Sequence, residues 1–136
     1  MATNAGLNSP YGVAVDAYGN LFIADSGNSR IRKVDTNGII TTVAGNGSYA
    51  YSGDGSAATN ASIGNPSSVT LDAYGNLFIA DYGNDRVREV DTNGIITTIA
   101  GISGSGVWAN GRPATNVLVN PYGLAMDAWG NLFIAE

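Results

Sequence analysis

Aspartates recur at one fixed place in this sequence, and they are its first candidates for chemistry. Asp16, Asp72 and Asp127 each open the motif Asp-Ala-x-Gly-Asn, where x is tyrosine or tryptophan. Such a column offers oxygen ligands to a cation on a channel, but calcium takes about six to eight oxygens. Asp side chains also commonly accept backbone N–H bonds within their own turn. We therefore expect these carboxylates to stabilise turns, and we predict no metal ion and no cofactor.

Arginines form a second repeated set. They are Arg30 and Arg32 in one copy of the pattern and Arg86 and Arg88 in the next. Such a set could bind an anionic ligand, but repetition in every unit is typical of a structural role in a repeat array. We expect these arginines to pair with a nearby carboxylate such as Asp25 or Asp81, or to lie on the solvent-exposed face of a strand.

The composition excludes several classes of function. Among 136 residues there are 6 Lys+Arg, 11 Asp+Glu, no His and no Cys, which gives a formal net charge of −5. A disulfide framework, a Cys or His zinc site and a nucleophile with a histidine base are therefore excluded. The acidic balance argues against nucleic acid and anionic membrane as partners. No apolar run approaches the roughly 20 residues of a spanning helix, so we expect no membrane insertion.

The chain is an internal repeat. Residues 16–25 recur letter for letter at 72–81, and they return at 127–136 with Trp129 and Glu136 as the changes. The period is about 56 residues, which lies in the range of propeller blades and long solenoid repeats. We divide the chain into a first unit at 1–57, a second at 58–113 and a half unit at 114–136. Repeats this similar indicate recent duplication or human design.

Within one unit the pattern is β throughout. In the first unit, residues 13–15, 21–24, 30–34 and 39–43 have apolar or alternating patterns typical of short strands. Asn37-Gly38 lies between the last two, and it predicts a hairpin with a type I′ turn. Four consecutive antiparallel strands make a meander. Long glycine-rich segments at 44–65 and 100–120 then have to lead from the outer strand of one sheet to the inner strand of the next.

These motifs resemble the NHL-repeat β-propellers, in particular their bacterial members. The pattern is Pro-x-x-Val/Leu-x-x-Asp-Ala-x-Gly-Asn-Leu-Phe-Ile-Ala-Asp, followed by Asn-x-Arg-Ile/Val-Arg, and it covers nearly the whole chain. The resemblance implies an all-β fold of β-propeller blades, each a four-stranded antiparallel meander. The family's name-giving histidine is replaced by Ser29 and Asp85. Family enzymes with lyase or lactonase-like activity use metal ligands around the central channel, and no residues here match those ligands. We therefore predict that the chain is not an enzyme.

The strand count predicts a partial propeller of about two and a half blades that is completed by self-association. The third copy stops after its second strand, which leaves Leu132, Phe133, Ile134 and Ala135 as an apolar edge open to another chain. Two chains could close a six-position ring as an isologous dimer. Alternatively, a head-to-tail contact that does not close would build a filament. A third possibility is that the chain is a fragment of a longer protein.

Aromatic residues in the connecting segments indicate a second kind of contact. Tyr49, Tyr51 and Trp108 lie there without an evident role in the core. Exposed loop aromatics are common at protein and glycan contacts, although these three could instead cover the neighbouring blade.

The most direct hypothesis is a non-catalytic module for self-assembly and for protein or glycan interaction. One alternative is an engineered or recently duplicated propeller fragment with assembly as its only activity. The other is a fragment of a lyase/lactonase-like propeller enzyme. The low charge and the abundance of Gly, Ser, Thr, Asn and Ala favour an extracellular or cell-surface location.

Overall fold

The computed structural model describes residues 1–102, 104, 106, 108 and 110–136, and its regular structure consists of short strands and single turns of 3-10 helix. The strands are β1 (Pro10–Val15), β2 (Leu21–Asp25), β3 (Arg30–Val34), β4 (Ile40–Ala44), β5 (Ser56–Ala57), β6 (Pro66–Leu71), β7 (Leu77–Asp81), β8 (Arg86–Val90), β9 (Ile95–Ala100), β10 (Gly123–Met126) and β11 (Leu132–Ala135). The 3-10 turns are Ala2–Asn4, Ser26–Asn28, Ala58–Asn60, Tyr82–Asn84 and Ala114–Asn116.

The strands form three antiparallel sheets. Their orders are β1-β2-β3-β4 in the first, β5-β9-β8-β7-β6 in the second and β10-β11 in the third. The predicted all-β fold with four-stranded meanders is confirmed, and β3 has the predicted bounds. The first strands of successive sheets, β1, β6 and β10, run beside one another, so the sheets stand next to each other as propeller blades do.

Apolar side chains fill the space between successive sheets. Phe22 and Ala24 of the first sheet pack in one cluster with Val69, Leu77 and Ile79 of the second. Because successive strand residues point to opposite faces, Phe78 and Ala80 face the third sheet instead. The second cluster joins Val87, Ala100 and Val119 to Leu132 and Ile134 of β11. The second sheet therefore lies between the other two, and the burial of a given position depends on whether a neighbouring sheet covers it.

The turn between β3 and β4 differs from the predicted type I′ turn. That type needs positive φ at both central residues, but only Gly38, at φ +74°, has it, and Asn37 does not. The Gly38 amide donates to the Asp35 carbonyl at 2.9 Å. The Asp35 carboxylate accepts the amides of Asn37 and Ile39 at 2.9 and 2.8 Å. The prediction was wrong because the Asp35 carboxylate accepts backbone amides of the turn and so stabilises a different turn geometry.

The connecting segment 44–65 is more ordered than a plain crossover. Its residues Ser56–Ala57 form β5, which pairs with β9 at the outer edge of the second sheet. The Gly45 amide donates to the Ala58 carbonyl at 2.9 Å, so the segment returns onto its own start. Gly45 has φ +88°, and a Cβ there would collide with the Ser29 carbonyl oxygen. Only glycine fits such a close approach at positive φ.

Candidate interaction surfaces

The repeated aspartates are occupied by their own turns. The Asp16 carboxylate accepts the amides of Tyr18 and Asn20 at 3.0 and 2.8 Å, and the Asn20 side-chain amide at 2.7 Å. The same bonds form at Asp72 and Asp127. The hydrogen bond from the Asn131 side chain lowers the pKa of the Asp127 carboxyl. The expected structural role of these three carboxylates is confirmed.

Two of the repeated arginines form the expected ion pairs. Arg32 lies 3.5 Å from Asp25, and Arg88 lies 3.3 Å from Asp81. Arg88 is fully buried and also contacts Asp54 at 2.6 Å. Burial raises the pKa of the Asp81 carboxyl to about 6, against hydrogen bonds from Asn84, Gly64 and Arg88 that lower it.

Arg30 and Arg86 donate hydrogen bonds to backbone carbonyls. Arg30 donates to the Asn46 carbonyl at 3.3 Å, and Arg86 donates to the Gly101 carbonyl at 3.0 Å. Each of these bonds ties β3 or β8 to the segment that follows the last strand of the same unit.

Tyr51 lies over the second sheet. Its ring lies 4.1 Å from the Arg86 guanidinium carbon and 4.9 Å from that of Arg88. Its hydroxyl donates to Asp54 at 2.9 Å and lies 3.2 Å from the Thr98 hydroxyl. We call residues 51–54 the strap, because they clamp the connecting segment onto β8 and β9.

Tyr49 and Trp108 are the other two predicted contact aromatics. The Tyr49 hydroxyl reaches the Gly83 carbonyl at 3.5 Å, so Tyr49, like Tyr51, touches the second sheet while part of its ring stays exposed. Trp108 is exposed beside a cleft of about 370 Å³ that Asn110, Leu118 and Glu136 also line. The structure therefore separates Trp108, which stands at a cleft, from the two tyrosines, which cover the neighbouring sheet.

Equivalent positions in the three units differ sharply in burial. Phe22 and Phe78 are 7% and 8% exposed, whereas Phe133 is 58% exposed in the same Leu-Phe-Ile-Ala strand. At the other end of the array, Val13 is 63% exposed, whereas its equivalent Val69 is 4% exposed. The difference arises because the next sheet covers Phe22 and Phe78, and the first sheet covers Val69. We call Ala125, Phe133 and Ala135 the trailing face, and Val13 and Val15 the leading face.

The predicted assembly edge lies on the trailing face. β11, which contains Leu132, Phe133, Ile134 and Ala135, pairs with β10 on one side, and no described strand pairs with its other side. Leu132 and Ile134 point towards the second sheet, so only Phe133 and Ala135 are open. An apolar cleft of about 320 Å³ runs across this face.

The upper face, the end at which the first strand of each sheet begins, has a cleft of about 300 Å³ lined by tyrosines and serines. Tyr82 and Tyr122 meet edge to face there, with ring centroids 5.9 Å apart, and Tyr11 lies on the same cleft. The Ser67 hydroxyl donates to the Tyr122 carbonyl at 2.9 Å. This cleft was not predicted from the sequence, because the residues at these positions vary between the units: Ser67 is equivalent to Tyr11 and Tyr122, and Ser26 to Tyr82.

The lower face, the end with the Asp-Ala-x-Gly-Asn turns, presents a row of aromatics that was not predicted as one surface. Tyr18, Tyr74 and Trp129 occupy the x position and are 84%, 85% and 87% exposed. The signal was available, since an aromatic residue stands at the same turn position in all three copies. Among the described residues, no group of three or more His, Cys, Asp or Glu could hold a metal ion.

The sequence matches a family model described as the teneurin NHL domain, over residues 1–52 and again over 47–115. The chain belongs to the teneurin NHL domain family. Human teneurin-4 is 37% identical over 106 residues, which are 68% of this chain and 4% of that protein. The chain thus spans a small fraction of the length of its curated teneurin relatives. The predicted NHL-repeat propeller resemblance is confirmed.

The solved structures that resemble this chain are propeller proteins. A Bacteroides thetaiotaomicron protein of unknown function superposes with a TM-score of 0.80 at 25% identity, over 97% of this chain and 34% of that one. Virginiamycin B lyase from Staphylococcus aureus superposes with a TM-score of 0.61 at 18% identity, over 98% of this chain and 36% of the lyase. At that identity the lyase shares the fold alone. No described helix of the chain is long and apolar enough to cross a membrane.

Proposed function

We propose that this chain is a non-catalytic NHL-type interaction module that associates with other copies of itself, trailing face against leading face. The observation that carries the proposal is the exposure of Phe133, whose equivalents Phe22 and Phe78 are buried by the next sheet. On the trailing face of one copy, Phe133 and Ala135 are equivalent to Phe22 and Ala24, which pack against the second sheet. On the leading face of the next copy, Val13 is equivalent to Val69, which packs against the first sheet. The contact would therefore repeat the packing that already joins the sheets within one chain.

Face packing is better supported than pairing at the β11 edge. Edge pairing needs a free strand from the partner. Ala2–Asn4, which precede β1, form a 3-10 turn whose Ala2 amide donates to the Gly38 carbonyl at 2.7 Å, so this turn is tied to its own sheet and is not free to pair with β11. A head-to-tail contact of this kind closes into a ring when its rotation allows and otherwise builds a filament.

Native mass spectrometry and light scattering of the purified chain at micromolar concentration test the proposal. We expect an oligomer, with a discrete mass for a ring or a concentration-dependent series for a filament. Phe133→Lys and Val13→Lys should each reduce the assembly, because each buries an unpaired charge at the contact. Thr41→Lys, an equal charge change on exposed β4, is the matched control and should leave the assembly intact. A parent chain that stays monomeric overturns the proposal.

Mixing the two blocked variants tests the head-to-tail arrangement. Phe133→Lys keeps its leading face, and Val13→Lys keeps its trailing face, so one good contact can form between them. We expect a one-to-one heterodimer that grows no further. A contact of trailing face with trailing face, or of leading face with leading face, would give no such heterodimer.

The same module also offers its loop aromatics to a protein or glycan, in an extracellular or cell-surface setting that the low charge favours. Support comes from Trp108, which is exposed beside a cleft with Asn110 and Glu136. A glycan array compares the parent chain with Trp108→Ala. We expect the variant to lose the parent's glycan signals without a change in melting temperature. Equal signals from both proteins would show that Trp108 makes no such contact.

A further inference from the structure

The turns of the lower face hold three aromatic side chains that the fold does not use. In each turn the aspartate carboxylate binds the backbone amide at the x position, so any residue there would complete the turn. Tyr18, Tyr74 and Trp129 nevertheless stand outward with more than four fifths of their surface exposed. Large aromatics on a rigid backbone supply contact area at low conformational-entropy cost.

Neighbouring turns form two consecutive clefts. Tyr18 and Tyr74 line one of about 360 Å³, together with Asp16, Asp72 and Lys33. Tyr74 and Trp129 line the next, of about 340 Å³, together with Asp72 and Asp127. Aromatic rings and carboxylates therefore alternate along a row that crosses all three sheets.

The net charge of this row is negative, and it is more negative around the second cleft than around the first. In the first cleft, Lys33 offsets part of the charge of two aspartates. The second sheet has Glu89 at the position equivalent to Lys33. Burial raises the pKa of Glu89, and the charges of Asp72 and Asp91 raise it further, so an anionic group stands in the second sheet where the first has a cation.

We propose that the lower face binds a basic polypeptide segment whose lysine and arginine side chains stack on Tyr18, Tyr74 and Trp129 and pair with Asp16, Asp72 and Asp127. A cation over the face of an aromatic ring is attracted by the ring quadrupole, and flanking carboxylates add Coulomb attraction. The proposal goes beyond self-assembly, because none of these three aromatic residues and three aspartates belongs to the leading or the trailing face.

Fluorescence anisotropy with a labelled nine-residue arginine peptide tests this surface at about 0.15 M salt, where simple surface attraction is screened. We expect saturable binding by the parent chain and no binding of a nine-residue glutamate peptide. The triple variant Tyr18→Ser, Tyr74→Ser and Trp129→Ser keeps every charge and should bind at least about tenfold more weakly. Tyr11→Ser with Tyr122→Ser, on the upper face, is the matched control and should bind as the parent does.

A second variant raises the affinity instead. Lys33→Glu gives the first cleft the residue that the second sheet already holds at this position, and it should tighten binding of the arginine peptide by several fold.

Three results would overturn the proposal. The first is a parent chain that binds no arginine peptide. The second is a triple serine variant that binds as the parent does, which would indicate attraction to charge alone. The third is a neutral glycan that binds the parent through these aromatics while the peptide does not. Circular dichroism of each variant verifies that the sheets are intact, and the oligomer mass verifies that assembly is unchanged.

Discussion

At the residue scale, the repeat shows how much the surroundings change the role of one arginine. Arg32 and Arg88 are equivalent, and each pairs with the aspartate that ends the second strand of its sheet. That pairing was predictable from the sequence, because both partners recur together. Arg88, unlike Arg32, has two further contacts, with Asp54 and Tyr51 of the strap. They were not predictable, since the strap is contributed by the preceding unit and its pairing depends on how two sheets pack.

Replacing the two arginines should therefore have unequal effects. Arg88→Met leaves the buried carboxylate of Asp81 without its cation and should cost about 3–5 kcal/mol of unfolding free energy. Arg32→Met removes one longer contact of a partly exposed side chain and should cost at least about 1 kcal/mol less. Urea unfolding of both variants measures the difference. Equal costs would mean that the strap contributes nothing to the burial of Arg88.

The Asp81 carboxyl should make stability depend on pH. Burial raises its pKa from 3.8 to about 6 in the folded chain. Between those values the folded state binds more protons than the unfolded state, so unfolding free energy falls as pH rises. The contribution is full below about pH 4 and is lost through about pH 6, by at most about 3 kcal/mol.

An Asp81→Asn variant isolates this contribution, because an amide does not titrate. Urea unfolding of the parent and the variant from pH 4 to 7 should show the parent losing stability relative to the variant as pH rises. Asp127→Asn is the contrasting control, because the Asn131 hydrogen bond lowers the pKa of Asp127. Its contribution is lost only as pH falls below about 4, so the difference between the parent and Asp127→Asn should stay constant from pH 4 to 7. A difference between parent and Asp81→Asn that stays constant across this range would contradict the raised pKa.

At the scale of elements, alternation and turn residues were enough to predict the four strands of a unit to within a few residues. β5 was missed because Ser56–Ala57 has no strand pattern of its own and is a strand only through its pairing with β9. The predicted type of the turn between β3 and β4 was wrong for a related reason. Asn-Gly is compatible with two turn types, and the Asp35 carboxylate, three residues before Gly38, selects between them.

Substitutions in this turn distinguish the two geometries. Gly38→Ala places a side chain at φ +74° and should cost about 1–2 kcal/mol of unfolding free energy. Asn37→Ala should change it by no more than about 0.5 kcal/mol, since Asn37 is exposed and binds Asp35 through its backbone amide. Thermal or urea unfolding measures both. A type I′ turn would instead make both alanines costly.

At the scale of the whole molecule, the repeat period predicted sheets that stand side by side, and the structure adds the direction in which each side chain points. The sequence has the same letters at Phe22, Phe78 and Phe133, so it could not distinguish the buried copies from the exposed one. Only the arrangement of the sheets distinguishes them, because each of these phenylalanines is buried only where a following sheet covers it. The lower-face row emerges in the same way, from turns that are far apart in sequence and adjacent in space.

Completing the third sheet separates face packing from edge pairing in the proposed assembly. A copy of residues 82–100 joined after Glu136 supplies the equivalents of β8 and β9, which would cover the free edge of β11. Phe133 and Ala135 would still face outward, because only a further sheet can cover them. Since the trailing face becomes wider, the extended chain should self-associate at a lower concentration than the parent, as measured by analytical ultracentrifugation. Phe133→Lys should disrupt the extended assembly as it does the parent's. An extended chain that is monomeric, with the parent oligomeric, would show that strand pairing at β11 and not packing of the faces holds the copies together.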